Sequence, residues 1–208
     1  DGPGVESAAR SIGSRARSYA LDLTDPAQVD ALAADVLGHE GHADVLVNNA
    51  GIAGLSAPTA EYPLEEWRRV LALDIDAVFY CTRAFLPHLL QREAGRIVNL
   101  ASVAGKEGNA NMAAYSTAKA AVIGFTKAVA REVAETGLLV NCVTPAVIQT
   151  GILEQVGPET LAGLVAKIPM GRTGQPEEVA ELIAWLASPR CSFSTGAVFD
   201  ISGGRATY

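Results

Sequence analysis

The residues of this chain whose types and spacing most clearly suggest chemistry are Tyr115 and Lys119. They stand four positions apart in the segment YSTAK, residues 115–119. On a helix this spacing places both side chains on one face, with the ammonium within reach of the phenol. A free phenol has a pKa near 10, too high for a base at neutral pH, and a neighbouring positive charge lowers that value. The pair therefore predicts proton transfer by Tyr115 with Lys119 as its activator.

Ser102 carries a hydroxyl that fits the same chemistry. It lies thirteen residues before Tyr115, at the end of a predicted strand, where its hydroxyl can donate a hydrogen bond to a carbonyl or alkoxide oxygen. Taken alone, a tyrosine and a lysine four residues apart also fit an ordinary helix with a half-buried tyrosine and a surface lysine. The catalytic interpretation therefore depends on Ser102, Tyr115 and Lys119 occurring together.

The elements that must position these residues alternate between short apolar segments and longer segments of helical character. The predicted strands, apolar on both faces as in a parallel sheet, are 44–48, 96–100, 138–143 and 197–201. The predicted helices are 26–37, 64–91, 113–135 and 176–187. The first helix follows an N-cap at Asp25, and the second is bent or interrupted near Asp74. This alternation predicts one α/β domain over residues 1–208, with right-handed βαβ units around a doubly wound parallel sheet.

Small and polar residues follow three of the predicted strands. They occupy positions 48–51, 101–105 and 144–146, and ligands of such sheets bind outside the carboxyl ends of the strands. A cofactor is therefore expected at this edge. The sequence contains no glycine-rich turn after a first strand, so the usual phosphate-binding fingerprint is not found in it.

The composition argues against several classes of partner. The formal net charge is -7 and no run of basic residues occurs, which argues against a nucleic-acid partner. No apolar run approaches the roughly 18 residues of a membrane span, and the first residues do not have the pattern of a signal peptide. Three widely spaced cysteines without a CxxC or Cys/His cluster predict reduced core thiols in a cytoplasmic protein and no metal site.

Beyond the Ser102, Tyr115 and Lys119 set, several segments share the order and spacing of a known family. They are LDLTD at 21–25, NNAG at 48–51, NCVTP at 141–145 and TGAVFDISGG at 195–204. Over essentially its whole length the sequence resembles the short-chain dehydrogenase/reductase family, whose fold is of the Rossmann type. The resemblance implies an oxidoreductase that moves a hydride between a nicotinamide cofactor and a secondary alcohol or ketone.

The resemblance also implies a role for individual residues. Tyr115 would exchange a proton with the substrate oxygen, Lys119 would lower the pKa of Tyr115 and bind the nicotinamide ribose, and Ser102 would hold the substrate oxygen. The further cofactor contacts that it implies are Asp22 and Leu23 at the adenine, Asn48, Ala50 and Gly51 on the adenosine-ribose side, and Pro145, Ile148 and Thr150 at the carboxamide. The cofactor would be NAD or NADP, with NAD preferred.

The sequence departs from the family pattern in two places. Asp74 aligns with an asparagine of the family's long helix and is a fourth candidate catalytic residue. Its carboxylate would pair with Lys119 and alter the pH profile, and the alternative is a helix residue with local effects. Counting back from Asp22, we expect the first β-α-β portion, about 40 residues with the glycine-rich turn, to be absent from the given sequence. The residue that distinguishes NAD from NADP would lie there.

The substrate side of the site is expected at residues 103–112, 146–149 and 151–169. Several loops there resemble family members acting on sugars or 2-keto-3-deoxy sugar acids, while 3-oxoacyl-thioester reductases are similar over the same stretches. A lyase or dehalogenase that uses Tyr115 without hydride transfer, and a non-catalytic cofactor-binding protein, are further alternatives. The apolar faces of the second and third predicted helices exceed what one sheet face needs and predict, with the resemblance, a homotetramer.

Overall fold

Four parallel strands form a sheet in the computed structural model, which describes residues 2–150, 153 and 158–208. The strands are β1 (Val45–Asn48), β2 (Arg96–Leu100), β3 (Leu139–Pro145) and β4 (Val198–Ile201), and they pair in the order β1-β2-β3-β4. All pairs are parallel, so the carboxyl ends of the strands lie at one edge of the sheet. The four predicted strands are confirmed, with bounds that differ by one or two residues.

The helices that surround the sheet include the four predicted regions. In chain order they are α1 (Gly2–Ile12), α2 (Pro26–Glu40), α3 (Leu64–Leu71), α4 (Ala77–Leu89), α5 (Ala104–Glu107), α6 (Ala113–Glu132), α7 (Pro158–Val165) and α8 (Pro176–Ala187). The side chain of Asp25 accepts a hydrogen bond from the backbone of Ala27 and caps α2, as predicted. Helix α2 continues through Gly38 and ends at Gly41, whose left-handed backbone, with φ of 73°, terminates it.

A single π-helical turn (Ala72–Asp76) joins α3 to α4. The long helix is therefore interrupted near Asp74, which confirms the prediction. An extra residue in a helical turn displaces the side chains around it from their usual positions. Here the displaced residue is Asp74, which is completely buried.

Both faces of the sheet are covered by helices, which confirms the predicted α/β architecture. On one face Ile97 and Val140 pack against α4 and α6 through residues such as Leu89. On the other face Val98 and Val143 pack against α8. Successive residues of a strand point to opposite faces, and β2 is consequently buried at all five positions.

A ladder of buried polar side chains crosses from the sheet to the helices. Asn48 Nδ2 donates to Asn99 Oδ1 at 2.8 Å, and Asn99 Nδ2 donates to Thr126 Oγ1 at 3.0 Å. Thr126 in turn donates to the carbonyl of Val122 within α6 at 2.8 Å. Buried amides are costly unless they are paired in this way, so the ladder fixes β1, β2 and α6 relative to one another.

The cysteines and the helix lengths complete the description of the fold. All three cysteines are buried and unpaired, as expected for core thiols. None of the helices that the structure describes is long and apolar enough to cross a membrane.

Candidate active site

Helix α6 carries Tyr115 and Lys119 at the carboxyl edge of the sheet. The chain enters this helix through Asn111, whose φ of 64° lies in the left-handed region that asparagine tolerates better than most residues. Lys119 Nζ lies 5.7 Å from the centre of the Tyr115 ring, so the spacing of four brings the two side chains together. Lys119 is only 5% exposed, and the surface lysine of the alternative interpretation is therefore not found.

Ser102 follows β2 and leads into the short helix α5. Its Oγ accepts a hydrogen bond from the N–H of Ala104 at 3.1 Å, which holds the hydroxyl at the edge of the sheet. In α5, Gly105 packs so tightly on α6 that a Cβ there would lie 2.5 Å from the carbonyl carbon of Lys119. This close approach sets the distance between the Ser102 hydroxyl and the two side chains of α6.

Asp74 reaches the same place from the π-helical turn. Its Oδ2 lies 3.2 Å from Lys119 Nζ, and its Oδ1 accepts a hydrogen bond from the N–H of Ile52 at 2.8 Å. Lys119 also donates to the carbonyl of Leu100 at 3.1 Å. The predicted pairing of Asp74 with Lys119 is thus present in the structure. A side chain at position 51 would crowd this pair, because a Cβ on Gly51 would lie 3.0 Å from Lys119 Nζ and 3.1 Å from Asp74 Oδ2.

The surroundings of Tyr115 raise its pKa above the usual 10.0 of a phenol. The largest cause is burial, which disfavours the phenolate, and interaction with the Ser102 hydroxyl acts in the opposite direction. The negative charge of Asp74 adds to the increase. The Lys119 charge makes no resolved contribution to this shift, and the expected lowering of the Tyr115 pKa by Lys119 is therefore not found. At neutral pH Tyr115 holds its proton and is able to donate it.

A cleft of about 510 Å³ lies beside these residues, a volume suited to a small ligand or part of a cofactor. It is lined by six of the predicted site residues: Gly51, Tyr115, Lys119, Pro145, Ile148 and Thr150. The opposite wall is one face of α8 that the sequence reasoning did not single out, formed by Pro176, Val179, Ala180 and Ile183. Residues spaced by three, one and three positions lie on one face of a helix. This apolar face of the predicted helix 176–187 was the sequence signal that could have indicated a wall of the cleft.

A second groove runs along β1 and α4 and is lined by three further predicted residues, Leu23, Asn48 and Ala50. Asn49, which the sequence reasoning did not single out, lines both this groove and the cleft and connects them. The amide nitrogen of Asn48 donates to Asn99 and to Thr82, so it is engaged within the protein.

Asp22 is not among the residues that line either groove. It is exposed, and its Oδ1 accepts hydrogen bonds from the N–H and the hydroxyl of Thr24 at 2.9 and 2.7 Å. These bonds hold the pKa of the Asp22 carboxyl below its usual range. The other carboxylate oxygen stays available to a donor such as an amino group.

The residues expected on the substrate side are held by the end of the chain. Arg205 donates to Glu107 Oε2 and to Asn109 Oδ1, each at 3.0 Å, and Lys106 pairs with Asp200 at 2.8 Å. The polar groups of the 106–109 loop are therefore engaged within the protein rather than directed freely toward a substrate. Of the expected segment 151–169, residues 151–152 and 154–157 lie outside the described residues. Within the described part, no cluster of metal-ligating side chains occurs.

Comparison with known proteins gives consistent relatives. The family described as enoyl-(acyl carrier protein) reductase matches residues 2–206. The 2-dehydro-3-deoxy-L-rhamnonate dehydrogenase (NAD(+)) of Sphingomonas sp. (strain SKA58) is 46% identical over 189 residues, which are 91% of this chain and 76% of the relative. The 3-oxoacyl-(acyl-carrier-protein) reductase of Vibrio cholerae is 38% identical over 195 residues, 93% of this chain and 79% of that relative.

Among solved structures, the crystal structure of NAD+-bound xylitol dehydrogenase is similar to this fold. The TM-score is 0.93 at 32% sequence identity, and the match covers 98% of this chain and 86% of the other. The arrangement of strands and helices around the cleft is thus shared with a protein that holds a nicotinamide cofactor.

Proposed function

Because the chain belongs to the short-chain dehydrogenase/reductase family, we propose that it transfers a hydride between a nicotinamide cofactor and a secondary alcohol or the corresponding ketone. The observation that carries this proposal is that Tyr115 and Lys119 lie together in the wall of one cleft, with the Ser102 hydroxyl beside Tyr115. A buried lysine beside a half-buried tyrosine is costly to maintain without a function.

The residues of the cleft fit a nicotinamide cofactor. Gly51 leaves the space above the Lys119 ammonium open, and that ammonium is positioned to bind a ribose hydroxyl. The apolar side chains Ile148, Val179 and Ile183 form walls for a flat ring, while the adjoining groove with Leu23 suits an adenine. When bound, the cofactor accepts or supplies the hydride, and NAD is the expected choice because the rhamnonate relative uses it.

The chain itself handles the proton. In the oxidation direction the Tyr115 phenolate takes the proton of the substrate hydroxyl as the carbon gives up its hydride, and in reduction the phenol returns a proton to the oxygen. The Ser102 hydroxyl donates a hydrogen bond to the same oxygen and orients it. Lys119 would hold a hydroxyl of the cofactor ribose and so position the cofactor beside Tyr115.

We infer that the substrate is a sugar or a 2-keto-3-deoxy sugar acid, since a sugar-acid dehydrogenase shares 46% of its residues with the matched part of this chain. Reduction of a 3-oxoacyl thioester is the second candidate, which the similarity to bacterial 3-oxoacyl reductases supports. The two substrate classes differ in size and charge, so the same assay with both distinguishes them.

The test measures reduced-nicotinamide absorbance with NAD and NADP against sugars, sugar acids and acyl thioesters. Tyr115→Phe should lower kcat by roughly 10²–10⁴-fold. Tyr80→Phe on α4 removes a hydroxyl away from the cleft and should leave kcat unchanged. Product formation without any nicotinamide would replace the proposal by a lyase or dehalogenase, and cofactor binding without turnover on any substrate would favour a non-catalytic binding protein.

We further propose a homotetramer formed through α4 and α6, in the cytoplasm. Phe79 of α4 is 47% exposed and packs edge-on against Phe125 of α6, with 6.4 Å between the ring centres. A half-exposed aromatic side chain such as Phe79, packed on a partly buried one, is typical of a subunit interface. Sedimentation equilibrium should give four times the chain mass, and Phe79→Glu should give smaller species. A monomer in the unaltered protein would contradict this assembly.

A further inference from the structure

The Asp74 carboxylate is a negative charge placed against the lysine of the proposed active site. It is 0% exposed, and Lys119 is 5% exposed, so bulk water screens their interaction little. One oxygen, Oδ1, is occupied by the N–H of Ile52. Among the residues that the structure describes, the other oxygen has no hydrogen-bond donor with suitable geometry, and its nearest positive charge is Lys119 Nζ at 3.2 Å.

The other charged groups near α6 are already engaged or lie in solvent. On α5, Lys106 pairs with Asp200 and Glu107 pairs with Arg205. The remaining titratable groups on the elements packed against the first half of α6 are the Glu66–Arg69 pair, the exposed Glu65, Arg68 and Asp76, and the buried Cys142. Burial raises the pKa of the Cys142 thiol to about 11, so it is neutral. In the described part of the chain, Asp74, Lys119 and Tyr115 therefore determine the charge at the floor of the cleft.

We propose that Asp74 is the counter-ion of Lys119, a positioning residue that holds the ammonium and cancels its charge at the floor of the cleft. With that charge cancelled, Tyr115 keeps its proton up to alkaline pH. This inference rests on the proposed function and adds to it the direction of the reaction that is favoured at neutral pH. The protein is then poised at neutral pH to donate a proton, as in ketone reduction, and oxidation of the alcohol accelerates as the pH rises.

The expected size follows from electrostatics. Through an effective dielectric constant of about 20, a unit charge a few ångströms beyond the lysine changes the ionisation constant of a phenol by on the order of tenfold or more. Asp74 raises the pKa of Tyr115 in addition to the larger effect of burial. Asp74→Asn keeps the acceptor for the N–H of Ile52 and removes the charge, so the phenolate should form at a pH about one unit lower.

The first measurement is a titration of phenolate absorbance, which requires neither cofactor nor substrate. The chain has five tyrosines, and subtracting the titration of Tyr115→Phe isolates Tyr115. We expect Tyr115 to titrate above the free phenol in the unaltered protein and about one pH unit lower in Asp74→Asn. The matched control is Asp76→Asn, which removes the same charge from an exposed position of the same turn and should leave the titration unchanged.

The second measurement is the pH profile of kcat/KM for alcohol oxidation. At a pH below the midpoint of the Asp74→Asn profile, the kcat/KM of this variant should be about tenfold higher than that of the unaltered protein. Damage to the structure would not produce such a gain. Coincident Tyr115 titrations of Asp74→Asn and the unaltered protein would overturn the inference. The inference would also be overturned if Tyr115 in the unaltered protein titrated at a lower pH than a free phenol. That result does not depend on the folding of the Asp74→Asn variant. A Tyr115 shift without turnover would instead retain the ion pair and refute the proposed function.

Discussion

The substitution Gly105→Ala tests whether the contact between α5 and α6 positions the proposed catalytic groups. An added Cβ would lie 2.5 Å from the carbonyl carbon of Lys119 and 2.7 Å from the nitrogen of Ala120. Both neighbours are backbone atoms of a helix, which have no rotamer to change. The two helices must therefore separate by about 1 Å to restore van der Waals contact.

The cost of that separation has two parts. Overpacking of a close helix contact destabilises a protein by about 1–3 kcal/mol, which lowers the melting temperature by roughly 2–4 °C for each kcal/mol in a chain of this size. The shift also moves Ser102 relative to the tyrosine and lysine of α6. A misplacement of about 1 Å between groups that act together can reduce kcat/KM by about 10²-fold.

Thermal unfolding followed by circular dichroism measures the loss of stability, and the reduced-nicotinamide assay measures the loss of kcat/KM. The matched control is Gly38→Ala, a helical glycine with no atoms within 4 Å of the added Cβ. It should stabilise the protein by about 0.5–1 kcal/mol and leave kcat/KM unchanged. If Gly105→Ala matched this control in both measurements, the contact would have no part in positioning the site.

Three other substitutions address the supports of the site. Glu178→Gln should lower the melting temperature at neutral pH, because the pKa of Glu178 is lowered to about 2, first by Arg172 and then by the N-terminal backbone of α8. A depressed folded-state pKa stabilises above the ordinary value of 4.5, so the difference from the unaltered protein should disappear as the pH falls toward 2. Asn99→Ala should cost about 1–3 kcal/mol in denaturant unfolding, since Asn48 keeps only its hydrogen bond to Thr82 and the Thr126 hydroxyl loses its amide donor, and a smaller loss would mean that water replaces the amide. Asn111→Ala should lower the free energy of unfolding by about 1 kcal/mol, because alanine disfavours a φ of 64°. Asn111→Gly should be tolerated, since glycine adopts this φ readily. Equal stabilities of the two variants would refute the strain argument.

The sheet and its main helices could be predicted from the sequence because each is encoded locally. Strand β2 contains Ile97, Val98 and Leu100, and α2 has its N-cap at Asp25 and a proline directly after it. These signals act within a few residues and need no knowledge of the rest of the chain. The pairing of Tyr115 with Lys119 on one helix face is of the same kind.

Other features depend on residues far apart in the chain and leave no local pattern. Arg205 and Glu107 are 98 positions apart, so nothing near either residue indicates the pair that holds the 106–109 loop. Helix α5 is only four residues long, too short for a periodic signal. The raised pKa of Tyr115 depends on burial and on Asp74, which only the folded chain brings together.

The polar ladder across the sheet has a consequence for how the strands find their alignment. Asn48 stands opposite Asn99 in the pairing of β1 with β2. These strands are separated by about fifty residues, and their apolar neighbours would accept a shifted alignment with little penalty. A slip of one residue would place Asn99 opposite Val47 and turn every side chain to the other face. The hydrogen bond between the Asn48 and Asn99 amides would then be lost in the protein interior, at about 1–3 kcal/mol for each unpaired group. The ladder therefore makes a misaligned sheet unstable once the helices close over it.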